Sequence, residues 1–229
     1  MRGGSNPSIS TKKYTKIYLM LIVLVGIPGS GKSTTTKKLA SLLKFKYFVE
    51  PEENKWADAA KDWKTYGSFA MLMWFRSIRT PMLIKAEELS ENGENVLIDT
   101  YYDKLLHYYI DKHCMRWLLS PSDRYFPVMK EIAAIDKDVL PDADLIIFFE
   151  VEKENWLKFL KARNRIADNE EGFLKNFETQ KFLLEATKKL CEERNIELII
   201  FQQGKLSIEE SIKELKKILE EKLAEKKEN

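Results

Sequence analysis

The chain has 229 residues and a mass of 26.9 kDa, and 44% of its residues are hydrophobic, which excludes a largely disordered protein. Its 38 basic and 36 acidic residues leave a net charge of +2, so we expect no nucleic-acid partner. The two cysteines, Cys114 and Cys191, are too few for a disulfide scaffold and are typical of a reduced, cytoplasmic protein.

The N-terminal residues are rich in glycine, serine and proline, and we expect residues 1–17 to form a disordered leader. Residues 18–229 are expected to form one domain, because no linker or internal repeat interrupts them. The longest apolar run, residues 18–25, is much shorter than the roughly 20 residues of a membrane-spanning helix. We therefore expect no membrane partner.

Short apolar strands alternate with helical segments along this domain. The strands are predicted at residues 18–25, 47–49, 96–98, 145–151 and 196–201. The helices are predicted at residues 32–43, 56–88, 102–119, 125–137, 154–162, 173–194 and 207–222, followed by a solvated tail. This alternation predicts an α/β fold with a five-stranded parallel sheet flanked by helices.

The sequence GIPGSGKS at residues 26–33 matches the phosphate-loop motif G-x-x-x-x-G-K-[ST] between a strand and a helix. Glycines let backbone N–H groups converge on a phosphate, and the helix N-terminus favours negative charge. We expect Lys32 to reach the β- and γ-phosphates of ATP and Ser33 to ligate Mg²⁺. The expected ATP-binding residues are Gly26, Pro28, Gly29, Ser30, Gly31, Lys32, Ser33 and Thr34.

Two carboxylates follow neighbouring predicted strands, Glu50 after the second and Asp99 after the third. The carboxyl ends of parallel strands face the ligand crevice, so both acids are expected near the γ-phosphate. Asp99 can hold Mg²⁺ with Ser33, while Glu50 can accept the proton of an attacking hydroxyl.

The motifs of other phosphate-loop classes are incomplete. Residues 54–57 read Asn-Lys-Trp-Ala, so the aspartate of the guanine-reading N-K-x-D motif is missing. The apolar strand at 96–98 leads into a single acid, where motor and helicase ATPases usually have a pair. These features favour a small-molecule kinase.

The phosphate loop, the Glu-Pro pair at residues 50–51 and Trp56 six residues after Glu50 resemble the deoxynucleoside kinases. The thymidylate kinases share the fold and the loop. The resemblance implies a three-layer P-loop fold, with Glu50 as general base on a sugar 5′-hydroxyl and Trp56 near the substrate. It also implies substrate-binding roles for Arg76, Arg79 and Tyr101.

The chain departs from that family at two points. The arginine that follows the third-strand acid in the family is replaced by Thr100, and residues 66–75 lack the base-reading glutamine. We therefore expect an unusual or broad base preference that depends on stacking by Trp56 and aromatics around Phe69.

Residues 161–172 resemble the family's arginine-bearing lid. Arg163 and Arg165 are expected to close over the phosphates and stabilise the charge of the transferring group, because a guanidinium offers two donors and stays charged.

The expected function is ATP- and Mg²⁺-dependent phosphoryl transfer to a small acceptor, first of all the 5′-hydroxyl of a nucleoside or deoxynucleoside. A nucleoside monophosphate kinase and a nucleotide-binding regulator without transfer activity remain alternatives. The aromatic helical segment also leaves a homodimer open.

Overall fold

The computed structural model describes residues 20–112, 118–165 and 173–228, so the expected leader lies outside the described residues. The centre is the five-stranded parallel sheet that the sequence predicted, and the structure gives its strand order as β2-β3-β1-β4-β5. Its strands are β1 (Leu21–Val25), β2 (Lys46–Phe48), β3 (Val96–Ile98), β4 (Leu145–Val151) and β5 (Glu197–Gly204).

Helices cover both faces of this sheet. They are α1 (Lys32–Leu43), α2 (Asp58–Lys61), α3 (Trp63–Tyr66), α4 (Ser68–Glu91), α5 (Tyr102–Tyr109), α6 (Phe126–Val139), α7 (Lys153–Arg163), α8 (Thr179–Arg194) and α9 (Ile208–Glu228). Short 3₁₀ turns lie at Glu53–Lys55, Ile110–Lys112 and Phe173–Glu178.

Alternate residues of the apolar strands face opposite layers, which is why β1 has no polar position. Leu21 and Val23 pack with α4 to α8, whereas Ile22 and Leu24 pack with α1 and α9. The two cores give the three-layer α/β arrangement that the sequence predicted.

The register of the sheet brings three strand ends to the same edge. Val23 of β1 and Phe48 of β2 both pair with Ile98 of β3. The segments that follow these strands are the phosphate loop, Glu50 and Asp99, so residues far apart in sequence meet at one mouth.

The predicted helix over residues 56–88 is divided in the structure. Gly67 has φ +86° and ψ 153°, a backbone conformation that only glycine adopts readily, and it separates α3 from α4. The long helix therefore begins at Ser68 and runs to Glu91, through Pro81.

Three other predicted bounds also differ. The helix predicted at 102–119 ends as a 3₁₀ turn at Lys112, and residues 113–117 lie outside the described residues. The helix predicted from residue 173 opens with a 3₁₀ turn before α8. Helix α9 continues to Glu228, where a solvated tail was predicted, and its Lys216–Glu220 pair has the helical i, i+4 spacing.

Within the described ranges, no helix combines the length and the apolar character that crossing a membrane requires.

Candidate functional site

The phosphate loop wraps around the ammonium group of Lys32. The Lys32 Nζ donates hydrogen bonds to the carbonyls of Gly26 at 2.8 Å and Ile27 at 2.9 Å, and the residue is almost fully buried. Burial lowers the pKa of Lys32 to about 8, although Asp99 and Glu50 oppose the shift by charge. The loop thus holds a cation at its centre, where the phosphates of ATP are expected.

Gly29 lies at the closest approach between the loop and α7. Its φ is +84°, and a Cβ at this position would stand 2.4 Å from Leu160 Cδ2. Arg163 Nη2 lies only 3.5 Å from the same point, so α7 brings this arginine to the loop. The expected role of Arg163 beside the phosphates is consistent with this placement.

The two predicted acids meet at the mouth of the sheet. The backbone N–H of Glu50 donates to Asp99 Oδ1 at 3.1 Å, and the Ser33 hydroxyl hydrogen-bonds the Asp99 carboxylate. Asp99 is buried, and this burial together with the charge of Glu50 raises its pKa to about 6.

Ser33 and Asp99 offer the hard oxygen donors that suit Mg²⁺. This ion is usually held by one or two carboxylates while substrate phosphates and water complete its shell. No group of three or more metal-binding side chains is found among the described residues. A buried carboxylate hydrogen-bonded to the loop serine therefore fits Mg²⁺ that arrives with ATP.

Glu50 is held by an arginine from α4. Arg79 Nε donates to Glu50 Oε1 at 2.6 Å, and its guanidinium lies 4.7 Å from the centroid of the Phe75 ring. Burial alone would raise the pKa of Glu50, but Arg79 and Lys32 outweigh that effect and hold it below the usual value. Glu50 is therefore a carboxylate at neutral pH.

Arg79 provides a guanidinium beside Glu50, although the sequence lacks the arginine expected after Asp99. The residue after Asp99 is Thr100, and no arginine follows β3 as it does in the deoxynucleoside kinases. The structure brings a guanidinium to Glu50 from α4 instead. Arg79 Nη1 also lies 3.8 Å from the buried Asp103 carboxylate, which places a second acid beside the pair.

Arg76 and Arg79 have different partners in the structure, although the same substrate-binding role was expected for both. Arg76 donates to both carboxylate oxygens of Asp136 on α6, each at 2.6 Å. It forms an interhelical pair, whereas Arg79 contacts Glu50. This geometry does not favour the predicted direct contact of Arg76 with a substrate.

Tyr101 is placed away from the loop, which does not favour its predicted role at the substrate. It is buried, its hydroxyl donates to the Pro141 carbonyl at 2.8 Å, and it accepts from the Ala143 N–H at 3.0 Å. The next residue, Tyr102, begins α5 and donates to the Gly26 carbonyl at 2.6 Å. Tyr102, which no motif in the sequence singled out, therefore contacts the phosphate loop.

Trp56 and Arg165 come together beside the segment that follows β2. The Trp56 indole donates to the Pro51 carbonyl at 2.9 Å and packs edge-on to Phe75. Arg165 donates to Glu52 Oε2 at 2.8 Å, and its guanidinium lies 5.6 Å from the centroid of the Trp56 ring. Arg165 of the predicted lid thus contacts the segment that follows β2, while residues 166–172 lie outside the described residues.

The predicted aromatic slot is partly closed by the protein itself. Phe69 stacks on Tyr125 with ring centroids 4.6 Å apart and an interplanar angle of 13°. Trp56 contacts the acid segment through its hydrogen bond to the Pro51 carbonyl.

Comparison with solved structures relates this architecture to known kinases. A deoxyadenosine kinase from M. mycoides with bound dATP superposes with a TM-score of 0.66 at 20% identity, covering 87% of this chain and 98% of that one. The same enzyme with dCMP and dCDP gives 0.63 at 18% identity, with the same coverage. Thymidylate kinase from Candida albicans gives 0.60 at 18% identity, covering 93% and 94%. No family model and no curated protein matches the sequence.

These likenesses define the class: the chain has the P-loop fold of nucleoside and nucleotide kinases. Within that class, the predicted resemblance to the deoxynucleoside and thymidylate kinases is confirmed for the fold.

Proposed function

We propose that this protein transfers the γ-phosphoryl group of ATP to the 5′-hydroxyl of a nucleoside or deoxynucleoside. The observation that carries the proposal is the Glu50 carboxylate, held ionised by Arg79 at 2.6 Å beside Asp99. A hydroxyl is a poor nucleophile until a positioned base accepts its proton, and an ionised carboxylate at the phosphate-loop mouth can do so.

The other residues at the mouth provide positive charge and order. Lys32 and Arg163 stabilise the negative charge that spreads over the transferring phosphoryl group. Ser33 and Asp99 hold Mg²⁺, which neutralises phosphate charge when it is bound. Arg165 closes the acceptor side together with Trp56, because it already lies over that ring.

A hydroxyl acceptor is favoured over a phosphate acceptor by the charges around Glu50. A nucleoside monophosphate would bring its phosphate next to a carboxylate, and like charges repel. Arg79, the cation in contact with Glu50, already forms an ion pair with that carboxylate. The thymidylate kinase among the fold neighbours nevertheless makes the monophosphate kinase the alternative to test.

The decisive experiment is Glu50→Gln, assayed with ATP and Mg²⁺ against panels of nucleosides and nucleoside monophosphates. We expect kcat on the best nucleoside to fall by about 10²–10⁴, with ATP affinity little changed, because the base is lost and the shape is kept. Glu88→Gln, an exposed carboxylate on α4, is the matched control and should leave kcat unchanged.

Two results would contradict this proposal. Turnover confined to monophosphates, with a small effect of Glu50→Gln, would identify the monophosphate kinase. ATP binding without turnover on either panel would identify a nucleotide-binding regulator.

We also propose that the protein forms a homodimer through α6. Val128, Ile135 and Val139 recur at spacings of seven and four residues and are 46%, 51% and 66% exposed. Such an apolar stripe on one helix is self-complementary across a two-fold axis. Sedimentation should show a dimer, and Ile135→Glu should convert it to a monomer.

A further inference from the structure

A tryptophan on α7 contacts the backbone of the phosphate loop. The Trp156 indole Nε1 donates a hydrogen bond to the Pro28 carbonyl at 2.8 Å. Trp156 is fully buried and also packs against Phe177, with ring centroids 5.5 Å apart. Neither the loop motif nor the lid resemblance assigns this side chain a role.

The direction of the Pro28 carbonyl determines the direction of the next N–H. A trans peptide is planar, so its C=O and its N–H point to opposite sides. With the Pro28 carbonyl turned toward α7, the Gly29 N–H is turned toward the opposite side of the loop. A phosphate loop functions only when its N–H groups face the anion and its carbonyls face away.

The same face of α7 continues to the arginine. Residues 156, 160 and 163 are four and three positions apart, which places them on one face of a helix. Leu160 packs against Gly29, and Arg163 Nη2 reaches the same point of the loop. Trp156 and Leu160 therefore set the distance between the loop and Arg163.

We propose that Trp156 is a positioning residue for ATP. Its indole N–H holds the Pro28–Gly29 peptide in the phosphate-binding orientation and keeps Arg163 in register with the loop. The proposal rests on the proposed function only in that ATP is the ligand, because it concerns binding and not transfer.

The test is Trp156→Phe, which keeps a buried aromatic ring and removes the N–H. A single hydrogen bond contributes about 0.5–1.5 kcal/mol, so calorimetry should show the Kd for ATP raised by about two- to twelvefold. The KM for the acceptor should not change, because the hydrogen bond that is lost is made to the phosphate loop. This split is not expected from a general loss of stability.

The matched control is Thr187→Val. It removes another buried side-chain hydrogen bond, from Thr187 Oγ1 to the Leu183 carbonyl at 2.7 Å within α8. We expect it to lower Tm to a similar extent and to leave the Kd for ATP unchanged.

A second variant guards against misfolding of Trp156→Phe. Incorporation of benzothienylalanine at position 156 replaces the indole N–H by sulphur at nearly constant size. An unchanged Kd for ATP in either folded variant would overturn the proposal. If the wild-type protein binds ATP but transfers nothing, the proposed function fails while this comparison of affinities still applies.

Discussion

The Glu50–Arg79 pair determines the charge state of the site at the residue scale. Both side chains are largely withdrawn from water, and their N–O distance is 2.6 Å. Removing one member of such a pair leaves an uncompensated buried charge, which is far more costly than losing an exposed ion pair. The protonation of Glu50 therefore depends on Arg79.

The first prediction concerns Arg79→Met. Without the guanidinium, burial dominates and the pKa of Glu50 rises, so the base is protonated at a higher pH than in the wild type. The acidic limb of the kcat–pH profile should move to higher pH, with about a tenfold loss per pH unit below the new pKa. Lys85→Met, at an exposed position on the same helix, should leave the profile in place.

The second prediction concerns Cys191. Burial, aided by the charge of Glu192, raises the pKa of this thiol to about 11. At pH 8 the reactive thiolate is then about one part in a thousand, and the side chain is shielded from solvent. Peptide mapping after iodoacetamide treatment should show Cys191 unmodified in the folded protein and modified in denaturant. Rapid labelling at pH 8 without unfolding would contradict the burial.

At the scale of elements, α4 connects the site to the helical layer. Arg79 projects from it to Glu50, and one turn earlier Arg76 projects to Asp136 on α6. Gly67, with its positive φ, separates α4 from the short α3. The helix thus fixes the arginine of the site by packing on its neighbours.

The third prediction is that Asp136→Asn destabilises the fold. Asp136 is 1% exposed and accepts two charge-assisted hydrogen bonds from Arg76. We expect urea unfolding to show a loss of about 2–4 kcal/mol, because Arg76 keeps its charge after its partner is removed. The partial access of Arg76 to water limits this loss. Asp138→Asn, also on α6, breaks an exposed pair with Arg194 of α8 and should cost under about 1 kcal/mol.

At the scale of the whole molecule, the sheet anchors the start of the described chain. The Met20 N–H donates to Asn95 Oδ1 at 3.1 Å, and the Leu21 N–H donates to Asp144 Oδ2 at 2.7 Å. These bonds tie β1 to the segments that precede β3 and β4. We propose on this basis that residues 18–229 fold as a single domain without the leader.

The fourth prediction follows from that proposal. Deletion of residues 2–15 should leave Tm within about 2 °C of the full-length value and leave ATP affinity unchanged, because it keeps the bonds of Met20 and Leu21 that anchor β1. Deletion through residue 21 should abolish folding, since it removes the bonds of Met20 and Leu21 and part of β1. A large loss of Tm in the shorter deletion would show that the leader belongs to the domain.

The sequence determined the sheet, the phosphate loop and the placement of both acids. Apolar runs of strand length have to be buried on two faces, and the glycines and Lys32 define a loop whose conformation is local. Glu50 and Asp99 follow strands directly, so parallel pairing alone brings them to one edge. Short-range patterns are therefore sufficient to predict where a residue lies when it directly follows a strand, because the strand's place in the sheet determines that position.

Only the tertiary structure decided which helical side chains reach that edge. Arg76 and Arg79 are one turn apart with equal chemistry, and Tyr101 and Tyr102 are adjacent, yet one of each pair faces the site. The choice depends on the crossing angle and rotation of α4 and on the residue at which α5 begins. Those quantities arise from packing between distant segments, which no local pattern in the sequence encodes.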